Sequence, residues 1–236
     1  MSDDAKWMIT QQASLEATRL NFSSWWNQIA LRVMPSAATF TVDEVEGVKR
    51  TERLFTGKPQ TNNERFGAVL DDLLTPRSQM WHALLPYDDE LVDDQDVKVY
   101  LERLTKLLFA LRYRPAANFA AQKAQGYLSV GAFGNSCLFI DEDVGVGPRY
   151  RQIFLKEVFW AENHVGVIDT LYRKFTLQAR QALQAAKQYG WTEVPPRIVK
   201  AAENEPFKEF DFLHCVRPNE DLVSRRKDYR GMPWAS

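Results

Sequence analysis

The stretch PAANFAAQKAQGYLSVGAFGNSCLFIDEDVGVGPRYRQIFLKEVFWAENHVGVIDTLYRKF, residues 115–175, decides the fold class. Its first part predicts a helix rich in small residues, with Ala120, Ala124, Tyr127, Leu128 and Gly131 at the spacing of one buried face. Gly134 then supplies the left-handed residue that ends it. Cys137-Leu-Phe-Ile140, closed by Asp141-Glu-Asp143, reads as a strand covered on both faces. Gly145, Gly147 and Pro148 turn the chain, so that Ile153-Phe-Leu155 returns beside it. Val158-Phe-Trp160 and residues 167–175 predict two further strands, joined at Glu162-Asn-His-Val-Gly166, where Asn and Gly fall where a hairpin wants them. Such an order predicts an α+β fold, with helices packed on a mainly antiparallel sheet.

Toward the N-terminus, residues 3–34 carry Leu15, Thr18, Phe22, Trp25, Ile29 and Val33 three or four apart, until Pro35 stops the helix. If continuous it would run about 48 Å at 1.5 Å per residue, with a break at residues 21–24 as the alternative. Residues 36–58 show no sustained period and read as loop, with a short strand at most at residues 40–42. Thr61-Asn-Asn-Glu64 spells a capping box for the next helix, with Phe66, Val69, Leu70 and Leu73 as its buried stripe and Pro76 as its end. Met80-Trp-His-Ala-Leu-Leu85 reads as a strand. Over residues 94–113 a further helix carries Val97, Leu101, Leu104, Leu108 and Leu111 inward.

Toward the C-terminus, Thr176 is placed to cap a helix whose inner face is Ala179, Ala182, Leu183, Ala186 and Tyr189, and Gly190 stops it. Pro195-Pro196 opens a shorter helix that ends by Pro206. Phe210, Phe212, His214 and Val216 alternate as a strand requires. The resulting division is a long helix and extended loop over residues 1–58, an α+β body over 59–218, and a basic tail over 219–236.

With 45% apolar residues in a chain of 236, a substantial core is available. Thirty Lys and Arg against 31 Asp and Glu leave a net charge of -1, so no overall field holds polyanions or an anionic membrane. Cys137 and Cys215 read as small buried hydrophobes, not as a disulfide framework. No secretory signal and no membrane-length apolar run is present, which predicts a soluble, intracellularly made protein.

Catalytic constellations are missing. Gly126-Tyr-Leu-Ser-Val-Gly131 has the glycine spacing of a phosphate loop, but Ala132-Phe133 replace the Lys and Ser/Thr that grip phosphate and magnesium. His82, His164 and His214 are isolated, and His214 and Cys215 point to opposite faces of one strand, so no cofactor or metal set is assigned. The acidic run Asp88-Asp-Glu90 with Asp93-Asp94 resembles a hard-cation site, yet it precedes a strong helix, whose positive end carboxylates complement. Asp96-Val-Lys98 has a spacing found in nucleases and is explained by the same capping. Trp25, Trp81 and Trp160 fall in apolar stripes and read as core. What remains is the basic group Arg225, Arg226, Lys227 and Arg230, placed to meet DNA or a neighbouring subunit, against the plainer reading of a solvated tail.

Laid out in order, these landmarks resemble the head-to-tail connecting, or portal, proteins of short-tailed bacteriophages. The resemblance rests on Trp25 to Pro35, Leu73-Leu-Thr-Pro-Arg-Ser-Gln-Met-Trp81, Asn118-Phe119 and Tyr127 through Leu138. It continues in Phe154-Leu-Lys-Glu-Val158, Glu162 to Gly166, Arg173-Lys-Phe175 and Leu213-His-Cys-Val-Arg-Pro218. It implies a virion protein without enzymatic activity, in a homo-oligomeric ring, usually a dodecamer, at one capsid vertex, assembled in the host cytoplasm. Double-stranded DNA is packaged and ejected through such a ring, and terminase, capsid or scaffolding proteins and tail adaptors dock on it. Family members are longer, so the chain would correspond to the outer wing, with residues 219–236 a tail or the start of a missing stem and clip. The contrasting readings are a phage-encoded metal-dependent nuclease using residues 93–96 and a DNA-binding packaging adaptor.

Overall fold

Helix α1 runs unbroken over Asp3–Val33, so no break interrupts residues 21–24, and Pro35 begins a short turn immediately beyond it. The computed structural model describes residues 3–42, 54–143, 145–191, 193–223, 226 and 231–236, apart from the side chains of Asp3, Asp4 and Asp143. The other helices are α2 (Lys58–Leu74), α3 (Gln95–Arg112), α4 (Phe119–Phe133), α5 (Ala179–Tyr189) and α6 (Pro196–Asn204). The strands are β1 (Cys137–Asp143), β2 (Gly147–Ile153), β3 (Val158–Glu162), β4 (Ile168–Gln178), β5 (Glu209–Pro218) and β6 (Trp234–Ala235). Every pairing among them is antiparallel, and the α+β class expected from the sequence holds. The chain forms two units, Met1–Leu20 with Glu157–Ser236, and Asn21–Lys156, and α1 contributes to both.

In the unit that includes the chain end, the sheet order is β3-β4-β5-β6. Asn163 organises the β3–β4 turn. Its backbone N–H donates to Val167 O at 2.9 Å, its side chain accepts from Val165 and Val167, and Gly166 takes the positive φ that the turn requires. Val158 and Tyr172 are fully enclosed. The N-terminal part of α1 meets this sheet with polar side chains. The Tyr172 hydroxyl donates to Gln11 Oε1 at 2.5 Å, Lys174 pairs with Glu16 at 3.1 Å, and the Arg19 guanidinium lies 3.7 Å over the Phe159 ring while donating to Val158 O. Helix α5 buries Ala179, Ala182 and Ala186 as the sequence predicts, whereas Tyr189 of the same predicted face is exposed. Its start differs: Thr176 lies within β4 and bonds Asp211, and the first free backbone donor, at Gln178, is taken by the Gln181 side chain at 3.1 Å. Strand β6, which has no apolar period to announce it, pairs Trp234 and Ala235 with Pro218 and Arg217.

In the other unit, α4 is covered on several sides and buries Phe119, Gly126, Tyr127, Ser129 and Phe133. Gly134 closes it with φ 75° as predicted. Helix α2 lies against α4 at glycines. A Cβ at Gly67 would sit 3.1 Å from Leu128 Cδ2, and one at Gly131 would fall 2.1 Å from Asn63 Oδ1, so the backbones meet only because neither residue has a side chain. Trp26, Phe40, Phe133 and Phe154 form one aromatic cluster, with centroids 4.8–6.3 Å apart.

Several local expectations are corrected here. Helix α2 begins at Lys58 with Pro59 in its first turn, so Thr61 and Glu64 lie inside it and make no capping box. Residues 80–85 form no strand, and Met80 and Leu85 are exposed. Strand β1 is half of a two-stranded hairpin that leaves Ile140 exposed, so it is not covered on both faces, and its partner returns from Gly147, not from Ile153. Of the long loop, residues 43–53 lie outside the described residues.

Candidate interaction surfaces

Of the four basic residues expected to meet DNA or a neighbour, only Arg226 is described; Arg225, Lys227 and Arg230 lie outside the described residues. Arg226 is exposed, and its backbone N–H donates to Val223 O at 3.3 Å. The chain folds back on it closely: a Cβ at Gly231 would fall 1.9 Å from the Arg226 carbonyl oxygen. That close approach is a reason for glycine at this position which the sequence reading did not contain.

The acidic run caps helices. Asp94 accepts from the backbone of Asp96 at 2.8 Å and Val97 at 3.2 Å at the start of α3, and Asp88 accepts from Glu90 at 3.1 Å. Lys98 reaches Asp93 at 3.4 Å. No three His, Cys, Asp or Glu side chains converge among the described residues as a metal set would. Gly126 and Gly131 lie inside α4, where the helix engages the backbone amides that a phosphate loop would need. Cys137 and Cys215 are half-buried and not joined to each other.

The histidines occupy structural positions. His82 lies 3.4 Å from Arg112, whose guanidinium spans Trp81 at 4.7 Å and Phe119 at 5.4 Å and donates to the Tyr150 hydroxyl at 3.3 Å. Trp81 Nε1 donates to the Tyr113 hydroxyl at 3.1 Å, which donates in turn to Thr75 O at 3.0 Å. This Arg-centred aromatic cluster ties residues 75–82 to α3. A cation stacked between rings leaves no periodic signal, so the sequence does not mark Arg112 for this role. Partial burial and Arg112 hold His82 below its ordinary pKa. Burial and Arg173 do the same to His214, whose Nε2 is 2.6 Å from Ser236 Oγ. Arg19 is brought down to about 10, chiefly by burial against an opposing contribution from Glu16, and remains a cation at neutral pH.

What stands out on the surface is apolar. In α1 the inward side is Gln12, Ser23 and Ala30, whereas Phe22 and Trp25 of the predicted stripe are 62% and 72% exposed. In α2 the buried residues are Asn63 and Gly67, whereas Val69 and Leu73 face out and Phe66 is half-exposed, with one ring edge at Gly131 of α4. In α3 Val97, Leu101, Leu104 and Leu111 of the predicted stripe are partly buried beside buried Thr105, which accepts from the Leu84 backbone at 3.0 Å, but Leu108 of that stripe is exposed and Val99, Tyr100 and Leu107 face solvent. Monomeric soluble proteins keep such patches small, and larger ones mark contact surfaces. These faces suit association; they carry no nucleophile, acid–base pair or ligand set.

The family model described as bacteriophage head to tail connecting protein matches residues 5–236. The portal protein of Salmonella phage epsilon15 is 22% identical over 232 residues, 97% of this chain and 41% of that protein. The probable portal protein of Bordetella phage BPP-1 is 21% identical over 235 residues, 99% of this chain and 41% of that protein. The chain thus spans about two fifths of the length of these relatives.

Proposed function

Because the chain belongs to the bacteriophage head to tail connecting protein family, we propose that it acts as a structural subunit of an oligomeric portal at the junction of capsid and tail. The observation that carries this reading is the family match over residues 5–236, in a chain whose relatives are named portal proteins. The outward apolar faces of α1, α2 and α3 support it, since a subunit of an assembly keeps apolar surface for its neighbours. On this reading the protein is a virion component of a short-tailed phage, in a ring of twelve copies, built in the host cytoplasm. Double-stranded DNA passes through the ring during packaging and ejection, and terminase, capsid or scaffolding proteins and tail adaptors are its partners.

A net charge of -1 suits a wall past which a duplex slides, because each phosphate neutralised by a Lys or Arg adds to grip. The division into residues 1–58, a wing-like body over 59–218 and a basic segment over 219–236 belongs to the same proposal. So does a contact of Arg225, Arg226, Lys227 and Arg230 with DNA or a neighbouring subunit.

Nothing favours the nuclease reading: Asp96 stands in the first turn of α3 beside its cap and gathers no further ligands among the described residues. Negative-stain electron microscopy of the full chain at micromolar concentration is expected to show closed rings with a central opening. Solitary particles at every concentration, with metal-dependent DNA cleavage abolished by Asp96→Ala, would overturn the proposal.

A further inference from the structure

Helices α2 and α3 belong to the same unit, are 17 and 18 residues long, or about 26 and 27 Å, and pack inward on different elements, α2 on α4 and α3 on β2. Each leaves an apolar stripe outside. The α2 stripe runs Arg65, Phe66, Val69, Asp72, Leu73, and the three apolar members are 48%, 53% and 71% exposed. The α3 stripe runs Asp96, Val99, Tyr100, Arg103, Leu107, with apolar exposures of 55%, 61% and 50%.

The two stripes carry their charges at the same spacing and in opposite order. On α2 a cation at residue 65 and an anion at residue 72 stand two turns apart, with Phe66 and Val69 between them. On α3 an anion at residue 96 and a cation at residue 103 stand at the same separation, with Val99 and Tyr100 between them. The side chains of Arg65, Asp72, Asp96 and Arg103 are exposed and make no ion pair among the described residues. Laid parallel, the helices would set Arg65 against Asp96, Val69 against Tyr100, and Asp72 against Arg103. An antiparallel α2–α3 arrangement or a parallel self-pairing would oppose like charges at both ends, which is unfavourable. Antiparallel self-pairing of either helix joins unlike charges but closes a two-fold dimer, whereas a ring needs a head-to-tail contact.

We infer that the outer face of α2 in one copy docks, parallel, on the outer face of α3 in a second copy of this chain. The inference rests on the portal reading and deepens it. A closed ring needs two different, mutually complementary surfaces per subunit, and these helices supply one of each. It also gives Asp96 a role beyond its place in the first turn of α3: its carboxylate is the acceptor for a neighbour's Arg65.

Sedimentation velocity on the full chain tests this. Wild type is expected to assemble. Leu73→Asp and Leu107→Asp, each at an exposed position and checked for unchanged far-UV circular dichroism, are expected to stay monomeric at concentrations where wild type is assembled. Mixed in equal amounts they are expected to form heterodimers and stop, since one copy retains a working α3 face and the other a working α2 face. Asp72→Arg and Arg103→Asp are each expected to weaken assembly at least tenfold, and the double variant to recover most of that loss. Wild-type and variant chains that assemble alike would overturn the interface while leaving the portal reading intact. Wild-type chains that remain monomeric at all concentrations would remove the portal reading and this interface together.

Discussion

Asn63 and Gly131 show how a single residue sets the approach of two helices. Asn63 Nδ2 donates to Leu128 O at 3.1 Å, while its buried Oδ1 has no hydrogen-bond partner and crowds the Gly131 backbone. Gly131→Ala is therefore expected to destabilise the protein by about 1–3 kcal/mol through overpacking. In an Asn63→Ala background the same change is expected to cost clearly less, a coupling that urea denaturation of the four combinations would read. His214 supplies a second residue-scale expectation. The folded protein holds this imidazole neutral to lower pH than the unfolded chain does, so the unfolded state takes up the proton first. Its contribution to stability is complete above the ordinary value of 6.5 and is lost as pH falls toward the folded value. His214→Gln is expected to flatten the decline in stability between about pH 7 and pH 5, measured by thermal unfolding across that range.

At the scale of the element, α1 carries the clearest lesson. Its length, its stop at Pro35 and its amphipathic spacing are legible in the chain, and the helix forms where they put it. Which side turns inward is not legible, because periodicity records that a stripe is to be covered and is silent on what covers it. Within the chain α1 presents Gln11, Glu16 and Arg19 to the sheet, where specific hydrogen bonds and a cation over Phe159 satisfy them. Trp25→Ala is accordingly expected to change the stability of the unassembled chain by less than about 0.5 kcal/mol, as urea denaturation below the assembly concentration would show. A core tryptophan would cost about 3–5 kcal/mol instead. The same inversion in α2 explains why Asn63 and Gly67 are buried against α4, while Phe66 reaches Gly131 with one ring edge and stays half-exposed and Leu73 faces out.

At the scale of the molecule, the charge balance bears on how the chain meets DNA. With 30 basic and 31 acidic residues, the isolated chain has no net positive charge with which to draw a polyanion. Duplex binding measured by fluorescence anisotropy is expected to be weak and to fall only shallowly between about 50 and 200 mM salt. A slope equivalent to six or more neutralised phosphates would instead favour the DNA-binding adaptor. The two units raise a point no linear reading contains: the segments Met1–Leu20 and Glu157–Ser236 belong together across the whole intervening chain. Tyr172 bonds Gln11, and Arg217 lies 5.4 Å from the Trp7 ring, through contacts between residues far apart in sequence.

By itself the sequence determined the α+β class, the order of α1 to α6 and of β1 to β5 apart from a strand expected at residues 80–85 that does not form, the ends marked by Pro35, Asp94, Gly134 and Gly190, and the family to which the landmarks belong. Those features rest on local physics: side-chain periodicity, proline's fixed φ, glycine's access to positive φ and a carboxylate near free backbone donors. Only the tertiary structure decided which faces turn inward, why Gly131 and Gly231 must lack a side chain, how Arg112 binds rings from three segments, and where β6 finds its partner. Each of those is fixed by atoms that approach from elsewhere in the chain, and a neighbour's position is information that no single window of residues holds.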